Sequence, residues 1–236
     1  MPDFAKRSDQ KELLDSDAIP FDDIRRNMQE LDVINHRLGG HRITLEGVRA
    51  FVRGWDKSQP FRIIEIGCGG GDNLRVIKNW GARQGLQLQL TGIDINPECI
   101  RFAKEQAGNA GIEFICADYR VAVFDSKPQL VFSSLFCHHF SEEALVTQLA
   151  WMQQNSGIGA FINDLHRHSL AYYSIKGLTA AFSKSYLVKN DAPLSVLRGF
   201  RKKDWQKMLQ AAAITGASVQ WQWAFRWLIL LPSPCR

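Results

Sequence analysis

An α/β fold, built as a doubly wound and mostly parallel sheet with a helical cover at its N-terminal side, follows from three features of the sequence. From residue 60 onward, short apolar runs alternate with helical stretches. Mostly apolar strands alternating with helices imply a parallel sheet covered on both faces. The first apolar run passes directly into a glycine turn, Glu65-Ile66-Gly67-Cys68-Gly69-Gly70-Gly71, and a helix begins behind it. A strand, a glycine turn and a helix N-terminus together make a nucleotide-binding corner.

The elements follow in order. Residues 1–20 are polar and charged and read as a loose arm. Phe21, Ile24, Met28, Leu31 and Ile34 recur at three- and four-residue spacing, which predicts a helix over 21–35. Asp22 and Asp23 favour its N-terminal dipole, and Leu38-Gly39-Gly40-His41 stops it. Thr44 is positioned to cap a second helix carrying Leu45, Val48, Phe51 and Val52. Residues 1–58 therefore form a helical arm or lid, and 59–236 the main domain.

Strands are expected at 62–66, 86–93, 112–116, 130–134 and 160–163, with helices at 72–81, 97–107 and 142–154. Pro97 stands in the first turn of its helix, where a missing N–H is harmless. A polar and aromatic insert, about 166–200, interrupts the alternation. A helix at 203–213 and strand-like runs at 217–223 and 226–231 complete the chain, without internal repeats.

Composition narrows the class. The chain has 236 residues, 45% hydrophobic and 22% charged, as in a soluble globular protein. The longest apolar stretch, 227–231, is far too short to span a bilayer, so no stable membrane insertion is expected. The charged N-terminus does not read as a signal peptide, and a cytoplasmic location follows. The net charge of +5 is dispersed. Its densest cluster, Arg198 with Arg201-Lys202-Lys203, is short and followed by Asp204, which argues against nucleic acid. Cys68, Cys99, Cys116, Cys137 and Cys235 lack CxxC or zinc-ligand spacing and read as reduced, buried thiols.

The glycine turn discriminates between nucleotides. A dinucleotide site wants a small third residue for close helix–strand packing, and Asp72 stands there. The carboxylates Glu65 and Asp72 would repel a diphosphate and attract a cationic ligand. Asp94, at the end of the second strand, suits the two ribose hydroxyls, although it could also cap the helix opened by Pro97. Asp118, after the third strand, suits an adenine amino group, with a turn role as the alternative. Three successive strands each delivering an acid to one rim is more specific than the glycines alone.

On these residues the chain resembles the class I S-adenosylmethionine-dependent methyltransferases, over roughly 61–231. The resemblance rests on Glu65–Gly71, Gly92-Ile93-Asp94-Ile95-Asn96, Ala117-Asp118, and the run from Val131 to Ser134-Leu135-Phe136-Cys137-His138-His139-Phe140. That last run is similar to the fourth-strand motif of the ubiquinone/menaquinone-biosynthesis (methyltransferase type 11/12) group. Gln129 departs from that pattern, where aspartate is usual. The flanks 31–41 and 162–168 resemble bacterial O-methyltransferases of polyketide and phenolic-lipid metabolism, a secondary-metabolism setting.

The resemblance implies a Rossmann-like, seven-stranded sheet with an antiparallel last strand, S-adenosyl-L-methionine as cofactor and S-adenosyl-L-homocysteine as product. It implies cofactor contacts from Glu65, Gly67, Cys68, Gly69, Gly71, Asn73, Asp94, Ile95, Asn96, Asp118, Tyr119, Ser134 and Leu135. The first long helix would close the site, bringing Asn35, Arg37, His41 and Arg42 near the methionine moiety, where an arginine such as Arg42 could pair with its carboxylate.

Methyl transfer needs alignment, exclusion of water and, for a hydroxyl, a base. His138, His139, His166 and His168 lie just beyond strands four and five. His139 and His166 are the candidate bases, with Asp164 as orienting partner; packing and capping roles are the alternative. These four histidines lack supporting carboxylate or cysteine spacing, so no metal is expected. The aromatic insert, with Tyr172, Tyr173, Phe182 and Tyr186, suits an acceptor pocket. The expected reaction is O-methylation of a small, mostly apolar phenol, quinol or polyketide-derived acceptor, aromatic or lipid-like. N- or C-methylation and non-catalytic cofactor binding are the alternatives, in a monomer or homodimer.

Overall fold

The computed structural model describes residues 2–15 and 19–233, so Cys235 lies outside the described residues. Seven strands form one sheet: β1 (Phe61–Ile66), β2 (Leu88–Asp94), β3 (Glu113–Cys116), β4 (Leu130–Ser134), β5 (Gly159–Leu165), β6 (Ser218–Gln222) and β7 (Arg226–Pro232). Their order across the sheet is β3-β2-β1-β4-β5-β7-β6. β1 to β5 run parallel, whereas β7 is antiparallel to both β5 and β6. The order reverses between β1 and β4, and a ligand crevice opens over the carboxyl ends at such a reversal.

Eight helices accompany the sheet among the described residues: α1 (Phe21–Arg37), α2 (Gly40–Val52), α3 (Asp72–Gln84), α4 (Pro97–Glu105), α5 (Glu142–Gln154), α6 (Ser169–Phe182), α7 (Tyr186–Arg198) and α8 (Lys202–Ala211). Side chains alternate across the strands, so β1 serves two cores. Ile63 packs with Val48, Leu74, Ile77 and Phe132 beneath α2 and α3. Ile64 and Ile66 pack with Leu145, Leu149 and Trp205 beneath α5 and α8. A third, smaller cluster joins Ile24 and Met28 of α1 to Cys99 and Phe102 of α4, which holds α1 across the rim of the crevice. No helix among the described residues is long and apolar enough to cross a membrane.

Several expectations are corrected. The first residues are not a loose arm. Arg7 donates to the carbonyls of Arg198 (2.9 Å) and Phe140 (3.0 Å), and the backbone N–H groups of Leu13 and Leu14 bind the Asp191 carboxylate at 2.8 and 3.0 Å. The second helix starts at Gly40 behind a left-handed Gly39; Thr44 is inside it and donates to Asn73 Oδ1 at 3.0 Å. Asn96, not Asp94, caps α4, accepting from Glu98 (2.9 Å) and Cys99 (3.3 Å). The insert forms two helices, α6 and α7, that pack on each other. α6 carries exposed Tyr173, Leu178 and Phe182 as well as inward residues, so it has no clean apolar stripe to read. Cys68, Cys99 and Cys137 are buried free thiols, while Cys116 is exposed.

Candidate functional site

A cavity of about 1250 Å³ lies over the carboxyl ends of β1, β2, β4 and β5, roofed by the N-terminal arm, α1, α6 and α7. Its floor is the glycine turn. Gly67, Gly69 and Gly71 have φ of 68°, 48° and 73°, the left-handed region that glycine alone enters freely. At Gly67 a side chain is also excluded by contact, since a Cβ would sit 2.1 Å from the Phe136 ring.

The turn spends its donors internally. The N–H groups of Gly67 and Cys68 both bind the Ile93 carbonyl, at 2.8 and 3.0 Å, and that of Gly71 binds Cys68 at 2.9 Å. Gly69 donates to Asp94 Oδ2 at 2.9 Å. A phosphate cradle needs such amides free. In addition, Asp72 opens α3 and accepts from His41 (2.7 Å) and Asn35 (3.1 Å). Burial pushes the Asp72 carboxyl up, but the bonds to His41 and Asn35 and the charge of Arg75 outweigh it and hold it below the usual range. An ionised carboxylate therefore occupies the helix end where a diphosphate would have to lie.

Many of the residues expected to bind cofactor border the cavity. Glu65, Gly67, Cys68, Gly69 and Asn73 line it from β1 and α3. Asp94, Ile95 and Asn96 line it from β2, and Ser134 and Leu135 from β4. Leu135 is a non-glycine residue at φ 52°, a conformation that costs strain and clusters at functional sites. Asp94 accepts from the N–H groups of Gly69 and Asn96, both at 2.9 Å, which leaves lone pairs on each oxygen for hydroxyl donors. Asn73 donates to Glu65 Oε1 at 3.0 Å, and burial, then the nearby Asp72 charge, push the Glu65 carboxyl well up.

Other expected residues stand outside the cavity lining. Gly71 does so because its face is covered by Phe114 and Asn109. Asp118 is gripped by the Arg120 guanidinium, and Tyr119 packs edge-on against Trp151 at 4.9 Å. Arg42 pairs with Glu46 on the surface at 2.6 Å. Arg226, at the start of β7, takes the cavity position expected of Arg42: it is 3% exposed and donates to Asn35 Oδ1 at 2.8 Å. Burial lowers its pKa to about 10, so it stays cationic.

The histidine assignment also changes. His166 accepts from Trp221 Nε1 at 3.2 Å and packs beside Trp227, off the cavity. Burial, then neighbouring His168, depress its pKa to about 4. Asp164 is fully buried and partners neither His139 nor His166. It accepts from His138 Nδ1 (2.8 Å), the Cys137 N–H (2.8 Å) and the Leu165 N–H (2.7 Å). Burial pushes its carboxyl up, yet His138, by charge and hydrogen bond, holds it below the usual range. His138 and His139 both border the cavity, and His139 Nδ1 binds Asp15 at 2.9 Å. Glu12, from the arm, faces both rings; burial above all lifts its carboxyl to about 7.

Glu12, His138, Phe136 and Arg226 are the cavity residues that sequence reasoning missed or passed over. Glu12 lies in an aperiodic arm and carried no signal. Arg226 carried one: a lone cation opening the apolar run 227–231.

The cavity offers specific unpaired polar atoms to a ligand. Four residues lining it keep a buried polar atom without a partner: Glu65 Oε2, Asn27 Nδ2, Glu98 Oε2 and Arg226 Nη1. Leaving such atoms unpaired costs about 1–3 kcal/mol each, which a ligand can recover. A carboxyl acceptor, an amide donor and a guanidinium, beside the Asp94 carboxylate, match an ammonium, a carboxylate and a ribose.

Comparison with known proteins agrees. A family model described as a methyltransferase domain matches residues 63–155. The malonyl-[acyl-carrier protein] O-methyltransferase of Acetivibrio thermocellus is 27% identical over 108 residues, 45% of this chain and 36% of that protein. The match thus spans little more than a third of the relative's length. A plantazolicin methyltransferase solved with S-adenosylhomocysteine superposes with a TM-score of 0.65 at 17% identity, covering 88% of this chain and 90% of that one. Magnesium protoporphyrin IX methyltransferase from Synechocystis PCC 6803 gives a TM-score of 0.53 at 14% identity, covering 84% of each chain. These likenesses establish the fold, and residues 63–155 match a methyltransferase domain.

Proposed function

We propose that this protein transfers a methyl group from S-adenosylmethionine to an oxygen of a small, mostly apolar acceptor of the phenol, quinol or polyketide type. The observation that carries the reading is the polar end of one apolar cavity. His138, held by Asp164, and His139, held by Asp15, face Glu12 there. The bound cofactor supplies a sulfonium-activated methyl group, so the protein's task is alignment and proton removal.

In this reading the Asp94 carboxylate receives the ribose hydroxyls, and Arg226 Nη1 receives the methionine carboxylate. Glu65 Oε2 accepts from the ammonium group. Asp164 fixes the orientation of the His138 ring, and the cluster of His138, His139 and Glu12 is where the acceptor hydroxyl gives up its proton. Ile175 and Leu178 of α6 and Val188 and Val196 of α7 give the acceptor an apolar wall. Residues 1–58 act as a lid, since α1 and the arm form the roof and must part for exchange. The O-methyltransferase and natural-product or porphyrin methyltransferase names of the relatives are consistent with such an acceptor.

The test is calorimetric titration with S-adenosylhomocysteine, followed by methyl-transfer assays read by mass spectrometry over phenols, quinols, amines and activated carbon acids. Micromolar binding and transfer to oxygen are expected. Absence of binding to S-adenosylhomocysteine, or transfer only to nitrogen or carbon, would overturn the corresponding part.

A further inference from the structure

The geometry points to a binding site for a divalent first-row transition ion formed by Glu12, His138 and His139 at the polar end of the cavity. It deepens the proposed function by giving that cluster an ion to hold the acceptor oxygen, but the binding site itself stands on geometry that does not need that reading.

The two imidazoles are oriented as metal ligands are. Each Nδ1 is already engaged by a carboxylate, Asp164 for His138 and Asp15 for His139, both within 2.9 Å. Such carboxylate–histidine pairs fix the ring and raise the basicity of the other nitrogen. Both Nε2 atoms then turn toward one carboxylate. His138 Nε2 lies 3.6 Å from Glu12 Oε1, and His139 Nε2 lies 3.9 Å from Glu12 Oε2. These separations are too long for hydrogen bonds. Two ligand atoms each about 2.1 Å from a tetrahedral ion stand about 3.4 Å apart, close to the first separation and slightly inside the second. One ligand atom from each of Glu12, His138 and His139 falls within a common 4.8 Å of the others. His138 is 3% exposed, and its Nε2 makes no hydrogen bond among the described residues.

Charge favours a cation as well. The carboxylates around the cluster are Glu12, Asp15, Asp164 and Asp191, and the guanidiniums are Arg7 and Arg198. Arg198 lies 3.8 Å from Glu12 Oε1, but its nitrogens donate to the carbonyls of His138, His139 and Gln10. Carboxyl groups therefore crowd the cluster, a setting that a bound cation relieves. Two imidazoles with one carboxylate select zinc, cobalt, manganese or iron over magnesium and calcium. The remaining coordination positions face the cavity and suit an acceptor with an anionic or chelating oxygen. This departs from the sequence expectation of no metal, because the third ligand comes from the arm, more than a hundred residues away.

The experiment uses the full chain after chelator treatment, titrated with Co²⁺ and followed by visible absorption and calorimetry. One equivalent of Co²⁺ with a ligand-field spectrum is expected. Glu12→Gln and His139→Ala should each weaken it at least tenfold while S-adenosylhomocysteine affinity stays within threefold, which shows that the variants fold. A second three-residue cluster, Asp32, His41 and Asp72, serves as the control. No Co²⁺ bound by the wild-type chain, binding unchanged in both variants, or loss of binding in Asp32→Asn instead would overturn the assignment. Failure of the transferase reading shows separately, as absence of S-adenosylhomocysteine binding by the wild-type chain with or without the ion.

Discussion

Replacing Gly67 with alanine tests the floor of the cavity most sharply, because the cost separates into two parts. The backbone part comes from φ, which is +68° at Gly67. An L-residue in the left-handed region costs about 1–2 kcal/mol. The packing part comes from Phe136, whose ring atoms lie 2.1, 2.5 and 2.6 Å from the new Cβ. That ring cannot swing freely, since Phe140 packs against it at 4.8 Å and Tyr119 at 6.2 Å. Overpacking of this kind costs about 1–3 kcal/mol more. Gly85 provides the comparison: its φ is +67°, yet nothing lies within 4 Å of a Cβ there. At about 2–4 °C per kcal/mol for a chain of this size, Gly67→Ala should lower Tm by roughly 5–15 °C, and Gly85→Ala by roughly half as much or less. Differential scanning calorimetry reads the difference. Displacing Phe136 into the cavity should also weaken S-adenosylhomocysteine binding at least tenfold, about 1.4 kcal/mol, and Gly85→Ala should not. Equal melting temperatures for the two variants would refute the steric argument, and unchanged affinity in Gly67→Ala would refute the placement of the ligand.

Five further outcomes are expected. Asp164→Asn should lower turnover at least tenfold with cofactor affinity within threefold, and His138→Ala should lower turnover at least ten times more than His166→Ala, both read in steady-state assays. Arg226→Met should weaken S-adenosylhomocysteine about tenfold but leave 5′-methylthioadenosine, which lacks the amino-acid end, bound as before in calorimetry. His166 is neutral when folded down to a pKa of about 4, against 6.5 in the unfolded chain, so it supports the fold above pH 6.5 and withdraws that support as pH falls through 4. His166→Phe should therefore flatten the fall of Tm between pH 6.5 and 4, and an unchanged slope would contradict the assignment. Asp191→Ala removes the acceptor for the Leu13 and Leu14 amides, two charge-assisted bonds worth about 1.5–3 kcal/mol each, and should make the arm a preferred site of limited proteolysis.

The framework was legible where local chemistry decides it. Alternating strands and helices, Pro97 in the first turn of α4 and the glycines of positive φ follow from residue type alone, and the parallel core of the sheet follows with them. What failed to show was long-range pairing. Nothing near Glu12 or Asp191 in sequence announces that each completes the other's surroundings. Asp164 reads equally well as partner to any of four histidines, and only the turn after β4, which brings His138 over the end of β5, selects one. Asp118 looks like a ligand residue until Arg120, two positions on, is seen to claim it. α6 escaped notice because it is apolar on inward and outward faces alike, and periodicity needs contrast.

The reversed direction of β7 has an effect that reaches beyond sheet topology. Parallel strands all present their carboxyl ends to the same edge, and here two of those ends carry Glu65 and Asp94. A strand running the other way offers its opening residue to that edge, opposite Leu165, and that residue is Arg226. One inverted strand thus sets a guanidinium against a row of carboxyl groups. A ligand carrying separated charges of both signs can then lie in the cavity in one heading only, and the end that reacts is chosen before any substrate arrives.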